Sequence, residues 1–303
     1  MPHPTPTVAL AGAGGDLGGR IAAALVGRGA SVRALIRPNL SSAEQARIEA
    51  LGTTVVPADP GDVDAMAASC AGAACVVSAL NGLRGVIVDR QTVLLDAAVQ
   101  AGVPRFVPSD YSADFTKTRP GENRNFDLRR AFMARVDRAP IQATSVLNGA
   151  FMDMLGAEMP VIQPAVHRVL YWGSADQPLD FTTKDDVAAY VAAVALDGTT
   201  PRILRIAGET LSARGLADAL TAVTGKRYRP QWVGSLGVLS AMIGLARRVA
   251  PQPDEPFPAW QGMQYMRDMF SGRGALHPLD TDRYPELRWT SVAAMLAARR
   301  VGA

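Results

Sequence analysis

The sequence predicts an α/β fold whose core is a doubly wound parallel sheet. The chain opens with an apolar run over Val8–Ala11, which breaks into a cluster of glycines and continues as a helical apolar stripe. Up to about residue 147, short apolar segments alternate with helical segments across short connections. Alternation of this kind is typical of parallel strands joined by right-handed helical crossovers.

Six strands are expected in the first half of the chain, at residues 8–11, 31–36, 53–56, 74–78, 105–108 and 141–147. Each is a short apolar run bounded by turn residues. Helices are expected between these strands, ending near residues 28, 51, 70, 101 and 137. Ser41 and Glu44 have the spacing of a capping box, which predicts where the second helix begins.

After Phe151 the pattern loosens. Short strands are expected at residues 164–172, 179–182 and 203–206, and helices at residues 183–196, 212–224 and 291–299. Residues 242–269 are rich in Met and Pro and are assigned no element. We therefore expect a first domain over residues 1–150 and a smaller α/β substrate-binding region over residues 151–303, interleaved with the first.

Composition limits the class of protein. Of the 303 residues, 48% are hydrophobic and 19% are charged, which is the balance of a soluble globular chain. The net charge of +3 comes from scattered arginines, without the basic-aromatic stripe of a nucleic-acid groove. No apolar run reaches the roughly 18 residues of a membrane span, and no signal peptide is recognised. We expect a cytoplasmic monomer or homodimer that acts on a small molecule, with no nucleic-acid or membrane partner.

Cysteines and histidines give no sign of a metal site. Cys70 and Cys75 lack a C-x-x-C partner, so both are interpreted as reduced core thiols. His3, His167 and His277 are far apart in the sequence. No metal cofactor is expected.

The glycines after the first strand follow the pattern G-x-x-G-x-x-G at Gly12, Gly15 and Gly18. Strand, glycine turn and helix in this order place free backbone N–H groups at the positive end of a helix, where a pyrophosphate binds. Gly12 permits the tight turn, Gly15 leaves room for phosphates, and Gly18 lets the helix pack close to the sheet. The spacing is shifted from the usual G-x-G-x-x-G, and the alternative is a purely structural turn. The pattern and its context favour a Rossmann-type dinucleotide-binding sheet.

Ligands of such sheets bind outside the carboxyl ends of the strands. This rule predicts a set of cofactor-binding residues at or just after strand ends: Gly12, Gly14, Gly15, Asp16, Leu17, Gly18, Arg37, Asn39, Ser78, Leu80, Asn81, Ser109, Asn148 and Phe151. The last two follow the sixth strand, where an amide and an aromatic wall would meet a nicotinamide. The alternative for that pair is a structural corner.

Several stretches resemble the NmrA-like and isoflavone-reductase-like branch of the atypical short-chain dehydrogenases. The likeness runs through nearly the whole chain, at residues 12–18, 35–38, 91, 105–111, 126–129, 144–151, 181–186 and 282–285. That family contains NADPH-dependent reductases of phenylpropanoid and flavonoid compounds. It also contains proteins that bind the dinucleotide as redox sensors or regulators. The resemblance implies the fold and the cofactor and leaves the substrate open.

Arg37 is expected to select the cofactor. It ends the second strand, where the adenosine ribose lies in a dinucleotide-binding sheet. An acidic residue there would bind the 2′-hydroxyl of NAD, whereas an arginine offers a planar fork to a 2′-phosphate. Asn39 follows as a further donor, and the alternative for Arg37 is a solvated loop residue. In the resembling family this arginine selects NADPH, so NADP(H) is the expected cofactor.

The catalytic group departs from the pattern of both branches of short-chain dehydrogenases. The pair Y-x-x-x-K of short-chain dehydrogenases is absent, because Phe115 stands four residues after Tyr111. The reductase branch has a lysine in F-x-x-K, and here Arg129 follows Phe126 at that spacing. An arginine can hold a substrate oxygen or a ribose by charge, but it cannot exchange a proton near neutral pH. Tyr111 and Lys117 are the alternative proton donors. For all three side chains a purely structural role stays open.

Two functions are compatible with these residues. The first is an NADPH-dependent reductase for a small, largely apolar or aromatic carbonyl or enone compound. The second is a non-catalytic NADP(H)-binding redox sensor or regulatory protein, which the missing lysine favours. Turnover of NADPH separates the two functions.

Overall fold

The chain divides into two compact units in a computed structural model that describes residues 5–156 and 159–299. The first unit contains the described residues up to Asp110, together with Leu128–Val146 and Val187–Leu204. The second contains Tyr111–Asp127, Leu147–Asp186 and the described chain from Arg205 onward. The functional boundary expected at residue 150 stays a prediction, and His3 lies outside the described residues.

The core of the first unit is a six-stranded parallel sheet, which confirms the predicted fold class. The strands are β1 (Thr7–Ala11), β2 (Ser31–Ile36), β3 (Thr54–Pro57), β4 (Cys75–Ser78), β5 (Arg105–Val107) and β6 (Gln142–Ala143). Their order is β3-β2-β1-β4-β5-β6. The order reverses between β1 and β4, and the carboxyl ends of strands at such a reversal are where ligands bind.

Helices cover this sheet. They are α1 (Asp16–Gly27), α2 (Ser42–Glu49), α3 (Val63–Cys70), α4 (Gln91–Gln100), α5 (Arg124–Val136) and α6 (Lys184–Leu196), the last two belonging to this unit from Leu128 and Val187 onward. The predicted capping box of α2 is present, with hydrogen bonds in both directions between Ser41 and Glu44. Leu94 and Leu95 of α4 and Phe132 of α5 are buried against Phe106 of β5. This packing fixes the carboxyl edge of the sheet.

Two predicted elements of the first unit are wrong in detail. The helix expected from residue 85 to 101 begins with a π-helical turn over Gly85–Arg90, and only then becomes α4. The strand expected over residues 141–147 is two strands, β6 and β7 (Ser145–Leu147). The Thr144 N–H donates to Phe106 O, but the next N–H, of Ser145, donates to Arg202 O. The chain therefore changes partner at this point, and β7 pairs with β12 (Ile203–Arg205) in a separate two-stranded sheet.

The second unit is an α/β assembly of about the same size as the first, with two three-stranded sheets. One consists of β8 (Ala150–Phe151), β11 (Leu179–Thr182) and β13 (Glu209–Leu211), and the other of β9 (Ile162–Gln163), β10 (Arg168–Trp172) and β14 (Arg229–Gly234). Four helices complete it: α7 (Ala213–Thr224), α8 (Leu236–Val249), α9 (Ala259–Phe270) and α10 (Val292–Ala298). Their buried side chains form one apolar core around Trp172, Phe181 and Leu220.

The sequence interpretation missed α8 and α9. The buried Leu239 and Ile243 lie on one side of α8, but Val238, Met242 and Leu245 are exposed on another. Val238, Met242 and Leu245 recur at helical spacing, as do Leu239 and Ile243, so the period of α8 is present in the sequence. The predicted strand over residues 164–172 is also shorter than expected. Pro164–Val166 is a 3₁₀ turn, and the strand begins only at Arg168.

Among the described residues, no helix has both the length and the apolar character needed to cross a membrane. The same residues contain no cluster of three or more potential metal-ligating side chains. Cys70 and Cys75 are free and buried. Burial raises the pKa of Cys70 to about 11 and that of Cys75 to about 12, so both thiols stay protonated at neutral pH.

Candidate functional site

The first unit has an open cleft of about 290 Å³ at the carboxyl edge of its sheet. The glycine turn after β1 lines the middle of the cleft. The carboxyl end of β2 lines one side of the cleft, and the segment after β4 lines the other. Of the predicted cofactor-binding residues, five line this cleft: Gly12, Gly14, Gly15, Arg37 and Leu80.

Gly12 and Gly18 are required by the fold itself. Gly12 has a φ of +93°, and a Cβ there would lie 2.7 Å from Ala79 O. A Cβ on Gly18 would lie 2.0 Å from Gly12 O, so the helix approaches the turn as closely as a glycine allows. Gly15 differs, because its φ is −82° and its Cβ would meet no protein atom closer than 3.4 Å. The described residues therefore leave open the space that a side chain at position 15 would occupy.

Asp16 and Leu17 open the first turn of α1 beside the glycine turn. The Asp16 carboxylate accepts from the Arg20 Nε at 2.7 Å, an exposed pair one helical turn apart. The first N–H groups of α1 have no side-chain cap, because its N-cap residue is Gly15. Uncapped N–H groups at a helix start are suited to an anionic ligand.

Arg37 is exposed directly after β2 and lines the cleft, whereas Asn39 is exposed nearby and does not line it. Glu44, an acid on the cleft wall, accepts hydrogen bonds from the hydroxyl and the N–H of Ser41. These bonds hold the pKa of Glu44 below its usual value. Ser41 is therefore used in capping α2 and not as a phosphate donor.

Two further arginines line the cleft that sequence reasoning missed. Arg47 of α2 donates from Nη2 to Gly14 O at 2.8 Å, which ties the helix to the glycine turn. Arg90 ends the π-helical turn and is exposed. No sequence signal identified either, since both line the cleft from helical segments and not from strand ends. With Arg37, three cations and one acid line the cleft.

Hydrogen bonds of Ser109 hold the carboxyl ends of β4 and β5 in place. Ser78, the last residue of β4, is fully buried, while Asn81 is exposed. The Ser109 hydroxyl donates to Leu80 O at 2.7 Å, and the Ser109 N–H donates to the side-chain oxygen of Gln91 at 3.0 Å. Ser109 therefore holds the segment after β4 in place.

Arg129 lies on α5 in the first unit and is only 6% exposed. Its charge faces the fully buried carboxyl of Asp110. Burial raises the pKa of Asp110, and this rise is opposed by the Ser145 hydroxyl, which donates at 2.6 Å, and by the charges of Arg129 and Arg202. Arg202 donates in turn to the Ser145 hydroxyl at 2.7 Å. Arg129 thus belongs to a buried charge network and is not a surface helix residue.

Tyr111 and Lys117 belong to the second unit. Tyr111 is buried. The Lys117 ammonium donates to Ala275 O at 2.9 Å and to His277 O at 2.8 Å, and lies 3.3 Å from the Asp114 carboxylate. Two hydrogen bonds and one ion pair therefore hold the Lys117 ammonium. In this structure Lys117 fastens a loop, which is a structural use of the side chain.

Asn148 and Phe151 also belong to the second unit. Asn148 is fully buried, and its side-chain oxygen has no hydrogen-bond partner among the described residues. Its backbone oxygen accepts from the Thr182 hydroxyl at 2.7 Å. Gly149, next in the chain, has a φ of +69°, and a Cβ there would lie 2.3 Å from Asp180 O. Phe151 is half-buried, with the Lys184 ammonium 6.0 Å from its ring centroid.

The family follows from a comparison with known proteins. The model of the NmrA-like family matches residues 4–289. The chain belongs to the NmrA-like family. A protein of Gibberella moniliformis described as an NmrA-like family domain-containing oxidoreductase is 26% identical over 255 residues, which cover 78% of this chain and 83% of that protein. The predicted resemblance is confirmed.

Solved structures with little sequence identity share the fold. A leucoanthocyanidin reductase of Vitis vinifera, in a binary complex with NADPH, is 18% identical with a TM-score of 0.80, covering 96% of this chain and 98% of that one. An NADPH-dependent quinone oxidoreductase of Escherichia coli, complexed with NADPH, is 19% identical with a TM-score of 0.74, covering 97% and 99%. Members of this fold bind NADPH, and at this identity the likeness establishes the architecture.

Proposed function

We propose that this NmrA-like protein is an NADPH-dependent reductase of a small, largely apolar or aromatic carbonyl or enone compound. The observation that carries the proposal is the cleft of the first unit, in which a glycine turn and three arginines lie together at the reversal of the strand order. Ligand sites of doubly wound sheets occur at this place.

The residues present fit NADP(H). The space at Gly15 and the uncapped start of α1 suit a pyrophosphate, which approaches the backbone closely. Arg37, after β2, stands where a 2′-phosphate would need a cation. The one acid of the cleft, Glu44, is engaged by Ser41 and does not offer a carboxylate to a ribose hydroxyl.

When bound, the nicotinamide supplies the hydride. Arg129 provides a buried positive charge that would hold a substrate oxygen and stabilise negative charge developing on it. An arginine cannot give up its own proton near neutral pH, so the proton comes from another group. Tyr111 stays the predicted candidate for that role, since the Lys117 ammonium donates to two backbone oxygens and pairs with the Asp114 carboxylate.

The apolar character of the substrate is supported by the resemblance to reductases of phenylpropanoid and flavonoid compounds. The cavity of about 10 Å³ in the core of the second unit, lined by Met159, Met266 and Met269 among other apolar residues, is about the size of one water molecule and is too small for such a compound.

A redox sensor that binds NADP(H) without turnover is the second candidate. The observation that favours it is Arg129, which replaces the one side chain through which the reductases of the resembling branch move a proton. In this alternative the same cleft binds the cofactor, and the charge network around Asp110 and Arg129 is purely structural.

The test is a screen that follows NADPH absorbance over a panel of carbonyl, enone, quinone and aromatic compounds, together with a direct cofactor titration. The reductase proposal predicts NADPH oxidation with at least one compound class. Tight NADPH binding without oxidation over the whole panel would favour the sensor. Absence of NADPH binding would contradict both.

A further inference from the structure

Arg90 is a cation of the cofactor cleft that is not held by the protein. Its side chain is exposed and lines the cleft. Within residues 5–156 and 159–299, the Arg90 guanidinium makes no hydrogen bond and no ion pair. Arg47, by contrast, donates to Gly14 O. An arginine on a cleft wall with five free donors is suited to an anionic ligand.

The direction of Arg90 depends on an irregular piece of helix. Residues Gly85–Arg90 form a π-helical turn, and the backbone N–H of the following Gln91 is shared between Val86 O, five residues back, and Val88 O. In a regular α-helix that N–H would donate to Ile87 O. Here the side-chain nitrogen of Gln91 donates to Ile87 O instead, at 2.7 Å. Single π-helical turns occur frequently at functional sites.

Gln91 also anchors this turn to the sheet. Its side chain is fully buried, and its oxygen accepts the Ser109 N–H at 3.0 Å, just after β5. The side-chain amide of Gln91 therefore makes hydrogen bonds both to the π-helical turn and to the chain just after β5. Because the π turn has a different winding from α4, it sets the direction in which Arg90 leaves the helix.

We infer that Arg90 is a phosphate-binding residue of the cofactor cleft, aimed at it by the π-helical turn that Gln91 fastens. The inference rests on the proposed cofactor, NADP(H). Arg37 follows β2 and Arg90 follows β4, on opposite sides of β1 in the sheet order. The 2′-phosphate belongs to the Arg37 side, so Arg90 serves the pyrophosphate, which NADPH and NADH share.

The experiment measures the dissociation constants of NADPH and NADH by fluorescence titration at several salt concentrations. The variants are Arg90→Gln, Arg90→Lys and, as a matched control, Arg84→Gln. Arg84 is exposed six residues earlier and does not line the cleft, so its loss changes the net charge equally. We expect Arg90→Gln to weaken both cofactors by the same factor, roughly three- to tenfold, with a weaker salt dependence. Arg90→Lys should retain most of the affinity, and Arg84→Gln all of it.

A fourth variant tests the role of Gln91. Gln91→Met keeps the volume of the side chain and removes both hydrogen bonds. We expect it to weaken both cofactors as Arg90→Gln does, and the double variant to be no weaker than Gln91→Met alone, because the two changes act through one contact. If Gln91→Met does not fold, the Arg90 variants decide alone.

Two results would overturn the inference. Equal affinity of Arg90→Gln and Arg84→Gln would remove Arg90 from the site. A loss confined to NADPH would assign Arg90 to the 2′-phosphate instead of the pyrophosphate. Failure of the wild-type protein to bind either cofactor is a different outcome, since it contradicts the proposed function itself.

Discussion

At the scale of single residues, Arg129 matters most for the chemistry, because it stands where the resembling reductases have a lysine. It is almost fully buried and faces the carboxyl of Asp110, which Ser145 also contacts. A buried arginine stays charged, whereas a buried lysine is readily tuned toward neutral pH. The network therefore supplies a fixed charge.

Replacing Arg129 with Met should slow hydride transfer much more than it weakens NADPH binding. The expected cost is about 2.7–4 kcal/mol if the guanidinium contacts developing oxyanion charge. Stopped-flow hydride transfer and a cofactor titration on the same preparation measure the two effects. Wild-type values of both would show that Arg129 only supports the helix.

Arg129→Lys is the matched control for that variant, since it keeps the positive charge. It should retain cofactor binding and add a new ionisation to the pH–rate profile, because a buried lysine titrates far below an arginine. An unchanged pH profile would contradict the placement of residue 129 at the reacting centre.

Arg37 is expected to decide between the two cofactors. Arg37→Asp should weaken NADPH binding by one to two tenfold steps, about 1.4 kcal/mol each, and leave NADH binding nearly unchanged. The physical reason is the loss of the cation that we propose to bind the 2′-phosphate. Arg84→Asp, an equal charge change outside the cleft lining, is the control. Equal losses for NADPH and NADH would remove the 2′-phosphate role.

The lowered pKa of Asp114 predicts that the free energy of unfolding depends on pH. Burial alone would raise the pKa of this carboxyl, but hydrogen bonds from Thr116 and Arg205 and the charges of Arg205 and Lys117 lower it below the usual value. Its stabilisation is therefore fully present above the unfolded pKa of about 3.9 and is lost as the pH falls through the lower folded pKa.

Asp114→Asn should accordingly lower the free energy of unfolding at pH 7 by about 1.5–3 kcal/mol, since it removes the charged hydrogen-bond partner of the half-buried Arg205. Urea unfolding of both proteins from pH 7 to acid conditions measures the difference. That difference should shrink below about pH 4. A difference that is constant with pH would show that the charge of Asp114 contributes nothing.

At the scale of elements, the glycine-rich segment after β1 contains Gly18, which the fold requires, and Gly15, which only a ligand would require. Gly18→Ala should destabilise the fold by about 1–3 kcal/mol or more, because the new Cβ would overlap Gly12 O. Gly15→Ala should leave stability almost unchanged and still weaken NADPH binding, because only the ligand needs that space. Gly27→Ala, later in α1 with no atom within 4 Å of the new Cβ, is the control for both. Thermal unfolding and cofactor titration test all three, and normal NADPH affinity of Gly15→Ala would contradict the pyrophosphate site.

Elements were predictable where local chemistry decides them. The capping box of Ser41 and Glu44 and the Gly225 stop of α7 are set by neighbouring residues, and both are observed. The π turn before α4 and the partner change at Thr144 depend instead on Ser109, Arg202 and Phe106, which are distant in sequence. Tertiary hydrogen bonds of this kind leave no periodic signal.

At the scale of the whole molecule, the first unit was predictable because right-handed crossovers between parallel strands allow few topologies. The position of the cleft at the carboxyl edge of the sheet was also predictable, because ligands of such sheets bind outside the carboxyl ends of the strands. Arg47 and Arg90 were not predictable, since they line the cleft from helical segments and not from strand ends. The second unit was harder to derive, because its strands are as short as two residues.

The central claim is that the cleft of the first unit binds NADPH in preference to NADH. The most direct measurement is a calorimetric titration of the wild-type protein with each cofactor at one pH and one salt concentration. The account predicts saturable binding of NADPH at one site, tighter than NADH by one to two tenfold steps. Equal affinity for the two cofactors, or no binding of either, would contradict it.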